Sequence, residues 1–411
     1  MIVKDVDSSL EQAEAIPASA QAGLVTRIVF LSYMGQMLLN PIIAPLSREM
    51  GLREWHIGAT ISLSAVVLAA SSAYWGRASQ RLGVKRVLVT GVLIATVSLA
   101  AFGVISYLGM NSILTGTGLV VGVMIARGLL YGAGISAVSP TAQAHLVTHT
   151  ASESGRVKAM GMIGAAQGMA SIVGGVVGGG LAAFGGMLLP LAVMPVVMGI
   201  GIVDLVFEFR PQNDARLIAR PKRIGFTDPR VRPWLIGGLC LFLVFSSMAA
   251  IFGFTVQDRF ALPGRETAGI SALYLTVMGV TMIVGQAVIA PRIGWGAARL
   301  FRTGLLLLLV GVVCLWPLAS HVLLTIACIL IGLGMGLAIP GYNTGPTLEM
   351  GEDEQGAVAG VINANNGIAY AVAPVASTAL YGSNPLLVFV LAIAIMAAVA
   401  LYAFVHPTLR K

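Results

Sequence analysis

Residues 161–180 read GMIGAAQGMASIVGGVVGGG, an apolar stretch with no charge and a high density of glycine. Placed on a helix, Gly161, Gly164, Gly168, Gly174, Gly175, Gly178 and Gly179 leave one side almost bare of side chains. In water each such glycine costs about 1 kcal/mol of helix propensity relative to alanine. In lipid the backbone has no water to bond and must satisfy itself, which a helix does. Bare faces are also how membrane helices approach one another when hydrophobicity cannot drive their association. The stretch is expected to be a transmembrane helix whose bare face packs against the other half of the chain and seals a leak path.

The composition allows no other setting. Of 411 residues 57% are hydrophobic and 10% charged, where soluble domains carry about a quarter charged. Cys240, Cys314 and Cys328 fall in apolar runs and read as small buried hydrophobes, not as a disulfide or metal set. Apolar runs of about 20 residues recur at roughly 24–46, 57–75, 87–107, 114–142, 159–182, 186–208, 233–256, 268–290, 301–319, 322–346, 358–380 and 385–406. The expected architecture is an all-α membrane protein of twelve spans. It divides into a disordered tail (1–23), a six-helix bundle (24–208), an arginine- and proline-rich connection (209–232), a second six-helix bundle (233–406) and a short tail (407–411). The first tail mixes both charge signs and lacks the apolar core of a secretory signal.

Orientation follows from the cations. The side holding both termini collects Arg77, Arg81, Lys85, Arg86, Arg156, Lys158, the central connection, Arg292, Arg299, Arg302, Arg410 and Lys411. The other side collects Arg48, Arg53, Arg259 and Arg265. By the positive-inside rule both termini are cytoplasmic. The net charge of +8 is then mostly topology, and no soluble domain is left to carry a nucleic-acid surface.

The two halves read as copies. Pro140-Thr141 answers Pro346-Thr347, Ser154-Gly155 answers Gln355-Gly356, and Gln167-Gly168 answers Asn366-Gly367, while Pro374 stands where the first copy has Gly175. Internal similarity between six-span halves marks transporters whose substrate site lies between the repeats near the bilayer midplane.

Three segments resemble the major facilitator superfamily, and within it the twelve-span bacterial drug and metabolite exporters. GRASQRLGVKRVL is similar to the family's loop after the second span, with Gly76, Arg81, Gly83, Lys85 and Arg86 matching and Gln80 where aspartate is usual. The family's charge relay is then either lost or replaced by a neutral hydrogen bond. ARGLLYGAG, with Arg127 and Gly132, resembles the fourth-span arginine–glycine signature at a spacing one residue longer. The glycine-dense stretch resembles the fifth-span antiporter signature through Gly161, Gly174, Gly178 and Gly179, with Gly175 replacing the usual proline. The resemblance implies two six-helix bundles moving by alternating access, with a cavity lined by the first and fourth spans of each half.

An ionised side chain at membrane depth costs at least about 2.5 to 3.5 kcal/mol, so the few that occur are functional or paired. Arg127 is the one charge near the centre of an expected span. It reads either as a structural arginine bonding backbone carbonyls or as a cavity arginine that binds an anionic group or tunes a proton carrier. Gln36 is its expected partner, with Tyr33, Asn40, Tyr131, Gln167, Asn343, Asn366 and Tyr370 as further substrate contacts. No acid stands at depth. Asp204 and Asp258 are coupling candidates at span ends, each readable instead as interfacial and solvated. Asn40-Pro41 and Pro45 would loosen or kink the outer end of the first helix. His145, His149 and Glu153 share helical spacing but read as a solvated helix end, not a metal site.

The expected function is secondary active export of a small amphipathic drug or metabolite by proton antiport, in a bacterial inner membrane. Uptake or exchange of an organic anion on Arg127 is the alternative, and a non-transporting membrane scaffold is a third reading. Neither an enzyme nor a cofactor is expected, and the protein is expected to act as a monomer with lipid, protons and a small-molecule substrate as its partners.

Overall fold

A computed structural model of the chain describes residues 21–148, 153–210, 224–316, 320–350 and 354–410, and every regular element among them is a helix. Most of the first tail, most of the central connection and His149 lie outside the described residues, as do the surroundings of Gly76, Gln80, Glu153 and Gly161. The first span is split into α1 (Ala22–Met37) and α2 (Ile43–Glu49), and α3 (Glu54–Leu82) and α4 (Val84–Met110) follow. The fourth span runs through α5 (Gly116–Val123), a π-helical segment (Met124–Leu130), α6 (Tyr131–Ile135) and α7 (Val138–Thr148). α8 (Glu153–Gly185) and α9 (Leu188–Phe207) complete the first half.

The second half repeats this plan with α10 (Arg232–Phe260), then α11 (Gly264–Ile283), a π-helical segment (Val284–Ile289) and α12 (Ala290–Arg292) as its second span. α13 (Ala297–Cys314), α14 (His321–Thr344), a short 3₁₀ turn (Gly345–Glu349), α15 (Gln355–Ser383), α16 (Pro385–Val405) and α17 (Pro407–Arg410) follow. Among the described residues ten helices are long and apolar enough to cross a membrane. The two that fall short complete the twelve: the first span, which breaks at residues 38–42 around Asn40-Pro41, and the eleventh, which carries Asn363, Asn365 and Asn366. Proline supplies no N–H to continue the helix, and the chain passes the break in short i to i−3 bonds such as Leu39 to Gln36 and Asn40 to Met37.

The repeat is visible in the packing. The third and fourth spans meet at Gly91 and Gly134, where a Cβ added to Gly134 would lie 2.8 Å from the Gly91 carbonyl oxygen. The ninth and tenth meet in the same way, where a Cβ on Gly334 would lie 2.8 Å from the Gly304 carbonyl. Across the halves α3 packs on α15 and α8 on α11, so each span meets the repeat-equivalent of the other. Gly58 of α3 sits against Thr378 and the Pro374 carbonyl of α15, and Ser62 Oγ accepts the Val375 N–H at 3.1 Å.

The glycine face of α8 behaves differently from expectation. Gly174 and Gly178 close on Met37 and Leu38 of their own half, and Gly179 alone among them meets the second half, at Ala268 and Ala272. A Cβ on Gly175 would meet no atom within 4 Å, so Gly175 is not a packing residue. A bare face wide enough to touch two partners splits between them.

Candidate functional site

The π-helical segment of the fourth span presents Arg127 inward, 6% exposed, and π segments recur at functional positions in helices. Its guanidinium stacks over the Tyr131 ring at 4.4 Å, and its Nε bonds no protein atom. The Tyr131 hydroxyl donates to Gln36 Oε1 at 2.9 Å. Gln36 and Asn40 from the first span, Thr60 from the second, Phe102 from the third and Arg127 surround a cavity of about 70 Å³. The structure thus brings together Arg127, Gln36, Tyr131 and Asn40. Close approach of the second span makes this possible: Gly128 and Gly132 lie against Leu63 and Ser64.

Tyr33 belongs to a second polar group, nearer the termini. Its hydroxyl is within hydrogen-bonding reach of Ser139 and Gln167, and Ser139 Oγ accepts from Gln167 at 3.1 Å and from Gln143 at 3.3 Å. In the second half Tyr370, 39% exposed, lies 5.9 Å from the Phe242 ring. Asn366 Oδ1 is buried and bonds no atom among the described residues. Its neighbour Asn365, which sequence reasoning passed over, donates to Tyr342 Oη at 3.0 Å and to the Leu235 carbonyl at 2.9 Å. Asn343 is exposed and joins neither group.

The two acids proposed for coupling are ion-paired at the span ends. Asp204 accepts from Arg27 Nε at 2.9 Å, and Glu208 accepts from the same guanidinium at 2.6 Å, which ties the first span to the sixth. Asp258 stands at the end of the bundle opposite the termini, where Arg48 of α2 reaches it across the halves. Arg48 also donates to Glu54 at 3.0 Å and Gln257 at 3.2 Å, and Tyr381 donates to Asp258 at 2.8 Å. One arginine therefore joins α2, α3 and α10, and Asp258 adds α15. The cross-half hydrogen bonds between described residues fall at this far end, those of Arg265 to the Ala183 and Phe184 carbonyls included, or about two helical turns in from it, as for Ser62 with Val375.

At the opposite end, ahead of α10, Arg230 pairs with Asp228 at 2.8 Å and Glu354 at 3.1 Å. Hydrogen bonds from the Arg230 side chain and backbone hold the Asp228 carboxyl below its ordinary range. His145 is 3% exposed and packs edge-on against Phe209, 5.3 Å between ring centroids, so it is a buried core residue and not a solvated helix end. Among the described residues no cluster of side chains could hold a metal ion.

Residues 27–374 match the family described as Major Facilitator Superfamily. The chain belongs to the major facilitator superfamily. It is 25% identical over 388 residues to the tetracycline resistance protein, class E, of Escherichia coli, covering 87% of each chain. It is 22% identical to the bacillibactin exporter of Bacillus subtilis (strain 168), over 87% of this chain and 89% of that one. In fold it is similar to a bacterial homologue of the human lysosomal transporter Spinster, solved in an inward-facing, unoccupied conformation. The TM-score is 0.74 at 12% identity, over 96% of this chain and 98% of that one. It is a transporter fold and not an enzyme. The superfamily's loop after the second span is a tight turn here: Gly83 adopts φ 88°, a region side chains rarely enter. Lys85 Nζ donates to the Val206 carbonyl at 2.8 Å, while Arg81 and Arg86 are exposed.

Proposed function

We propose that this superfamily member is an alternating-access exporter of a small amphipathic drug or metabolite, driven by proton antiport. We take its termini to face the cytoplasm of a bacterial cell, its halves to correspond to residues 24–208 and 233–406, and its working form to be a monomer. The observation that carries the reading is the one-sided closure. The described cross-half hydrogen bonds gather around Arg48 and Arg265 at the far end and at Ser62 about two turns in from it, and none joins the halves at the end that holds the termini among the described residues. That is what an inward-open state of an alternating-access bundle requires. Two relatives named as a resistance protein and an exporter support the direction.

Reconstituted protein in liposomes with an imposed pH gradient tests it, using a panel of lipophilic cationic, neutral and acidic compounds. Expected is saturable movement of at least one compound that collapses when a proton ionophore is added. Equal fluxes with and without the protein would overturn the reading. Flux that ignores the gradient would overturn antiport alone. Organic-anion exchange is the second reading, and the unpaired Arg127 favours it.

A further inference from the structure

The cavity beside Arg127 belongs wholly to the first half, and its size decides what can enter it. At about 70 Å³ it falls far short of the 300 Å³ or more of a drug-sized pocket, and it exceeds the roughly 10–15 Å³ that a single water needs. It takes one small group. Toward that group the protein offers donors. Arg127 lines the cavity, and no hydrogen bond or ion pair joins its guanidinium to another described residue. The Gln36 carbonyl is occupied by Tyr131, which leaves the amide N–H groups of Gln36 without a protein acceptor among the described residues. Among the described residues the Asn40 amide donates to the weak acceptor Met37 Sδ alone, at 3.0 Å.

No carboxylate pairs with Arg127 among the described residues, whose ion pairs lie at the span ends and beside α10. An ion buried without a countercharge is strongly disfavoured, and the aromatic face beneath it offsets only part of that cost. The shortfall has a sign. Leu39, Ile43, Ile57, Ile61 and Val123 complete the lining and lower the local dielectric, which strengthens the attraction for a negative charge.

We propose that this cavity binds one small monovalent anionic group, either the carboxylate of a transported compound or a free halide, held by Arg127 with Gln36 and Asn40 beside it. The carboxylate source rests on the transporter reading above, and the site itself does not. In that case the acidic end of an amphipathic compound enters the cavity and the body, too large for it, stays outside. The guanidinium fork matches a carboxylate with two parallel bonds, which a lysine ammonium cannot reproduce.

Thermal unfolding of the purified full chain in detergent tests the site, because a ligand bound to the native state raises the midpoint whether or not anything is transported. The probes are sodium benzoate, benzamide, and sodium chloride against sodium isethionate at constant ionic strength. Wild type, Arg127→Gln, Arg127→Lys and Phe102→Trp are compared. Expected is a rise with benzoate and none with benzamide, abolished in Arg127→Gln and weakened roughly tenfold in affinity in Arg127→Lys. A chloride shift that needs Arg127 and tolerates lysine supports the halide source instead.

If neither anion shifts the wild type, water alone satisfies Arg127 and the proposal falls. Shifts that survive Arg127→Gln place the anions elsewhere and overturn it too. Should Arg127→Gln fail to fold, Phe102→Trp fills the cavity without touching the charge, and a benzoate shift retained there is equally fatal. A benzoate shift in a protein that moves no compound in liposomes would sink the transporter reading and leave this site standing.

Discussion

Two arginines on the same half of the molecule have opposite surroundings. Arg48 sits at the far end, about a quarter exposed, with Glu54, Gln257 and Asp258 around its guanidinium. Arg127 sits deeper, 6% exposed, with an aromatic face beneath it and no carboxylate. Where water is near, charges can be spent in pairs to hold two halves shut, because each pair is individually weak and the seam must reopen. Where water is scarce, a charge with no built-in partner makes sense only if a partner arrives. The contrast separates a closing device from a binding device in one bundle.

The largest test acts on the seam without using charge. Gly58→Val drives a side chain into the Pro374 carbonyl and Thr378, so α3 and α15 cannot close. In a background with the three cysteines replaced by alanine, maleimide labelling of Ser62→Cys from the far side should rise by well over tenfold. Arg48→Gln comes next. It leaves the Asp258 and Glu54 carboxylates without their shared cation, and two partly exposed ion pairs lost together, each up to about 1 kcal/mol, should raise labelling roughly tenfold.

Tyr381→Phe removes one neutral donor from Asp258, about 1 kcal/mol, and should raise labelling about fivefold. Tyr131→Phe sharpens the other side of the comparison. It keeps the ring under Arg127 and frees the Gln36 carbonyl, so labelling should not change and benzoate affinity should fall by less than about threefold. The smallest effect concerns pH. The Asp228 carboxyl is held below its ordinary value of 3.8, so its stabilisation is full above that value and vanishes only as pH falls through the lower folded value. Asp228→Asn should lower the unfolding midpoint slightly at pH 7, by an amount that shrinks as pH falls below 3.8.

The sequence carried the architecture and only part of the site. Span positions were legible because charges fall silent for about 20 residues at a time, a signal that survives any packing detail. Arg127 was legible for the same reason, as a charge where none should be. The helix partners were not. Gly175 and Gly179 look alike in sequence and share a helix face, yet about 6 Å along the axis separates open space at one from Ala272 at the other, which no sequence pattern records.

Asp258 read as a lone interfacial acid because its partners, Arg48 and Tyr381, lie 210 and 123 residues away in sequence, and Arg48 meets it only across the halves. The π-helical segment that turns Arg127 inward leaves no mark in composition, and Asn365 differs from Asn363 and Asn366 only by the face it occupies. Thr60 and Phe102 were missed because a cavity wall is defined by what surrounds it, not by residue type.

The division of labour between the two arginines is tested most directly by titrating benzoate against the thermal unfolding of Arg48→Gln. The expected result is a midpoint shift equal to that of wild type on a less stable seam, since Arg48 takes no part in the cavity. A shift lost in Arg48→Gln as fully as in Arg127→Gln would contradict it, and would mean that the anion responds to closure of the bundle and not to the cavity beside Arg127.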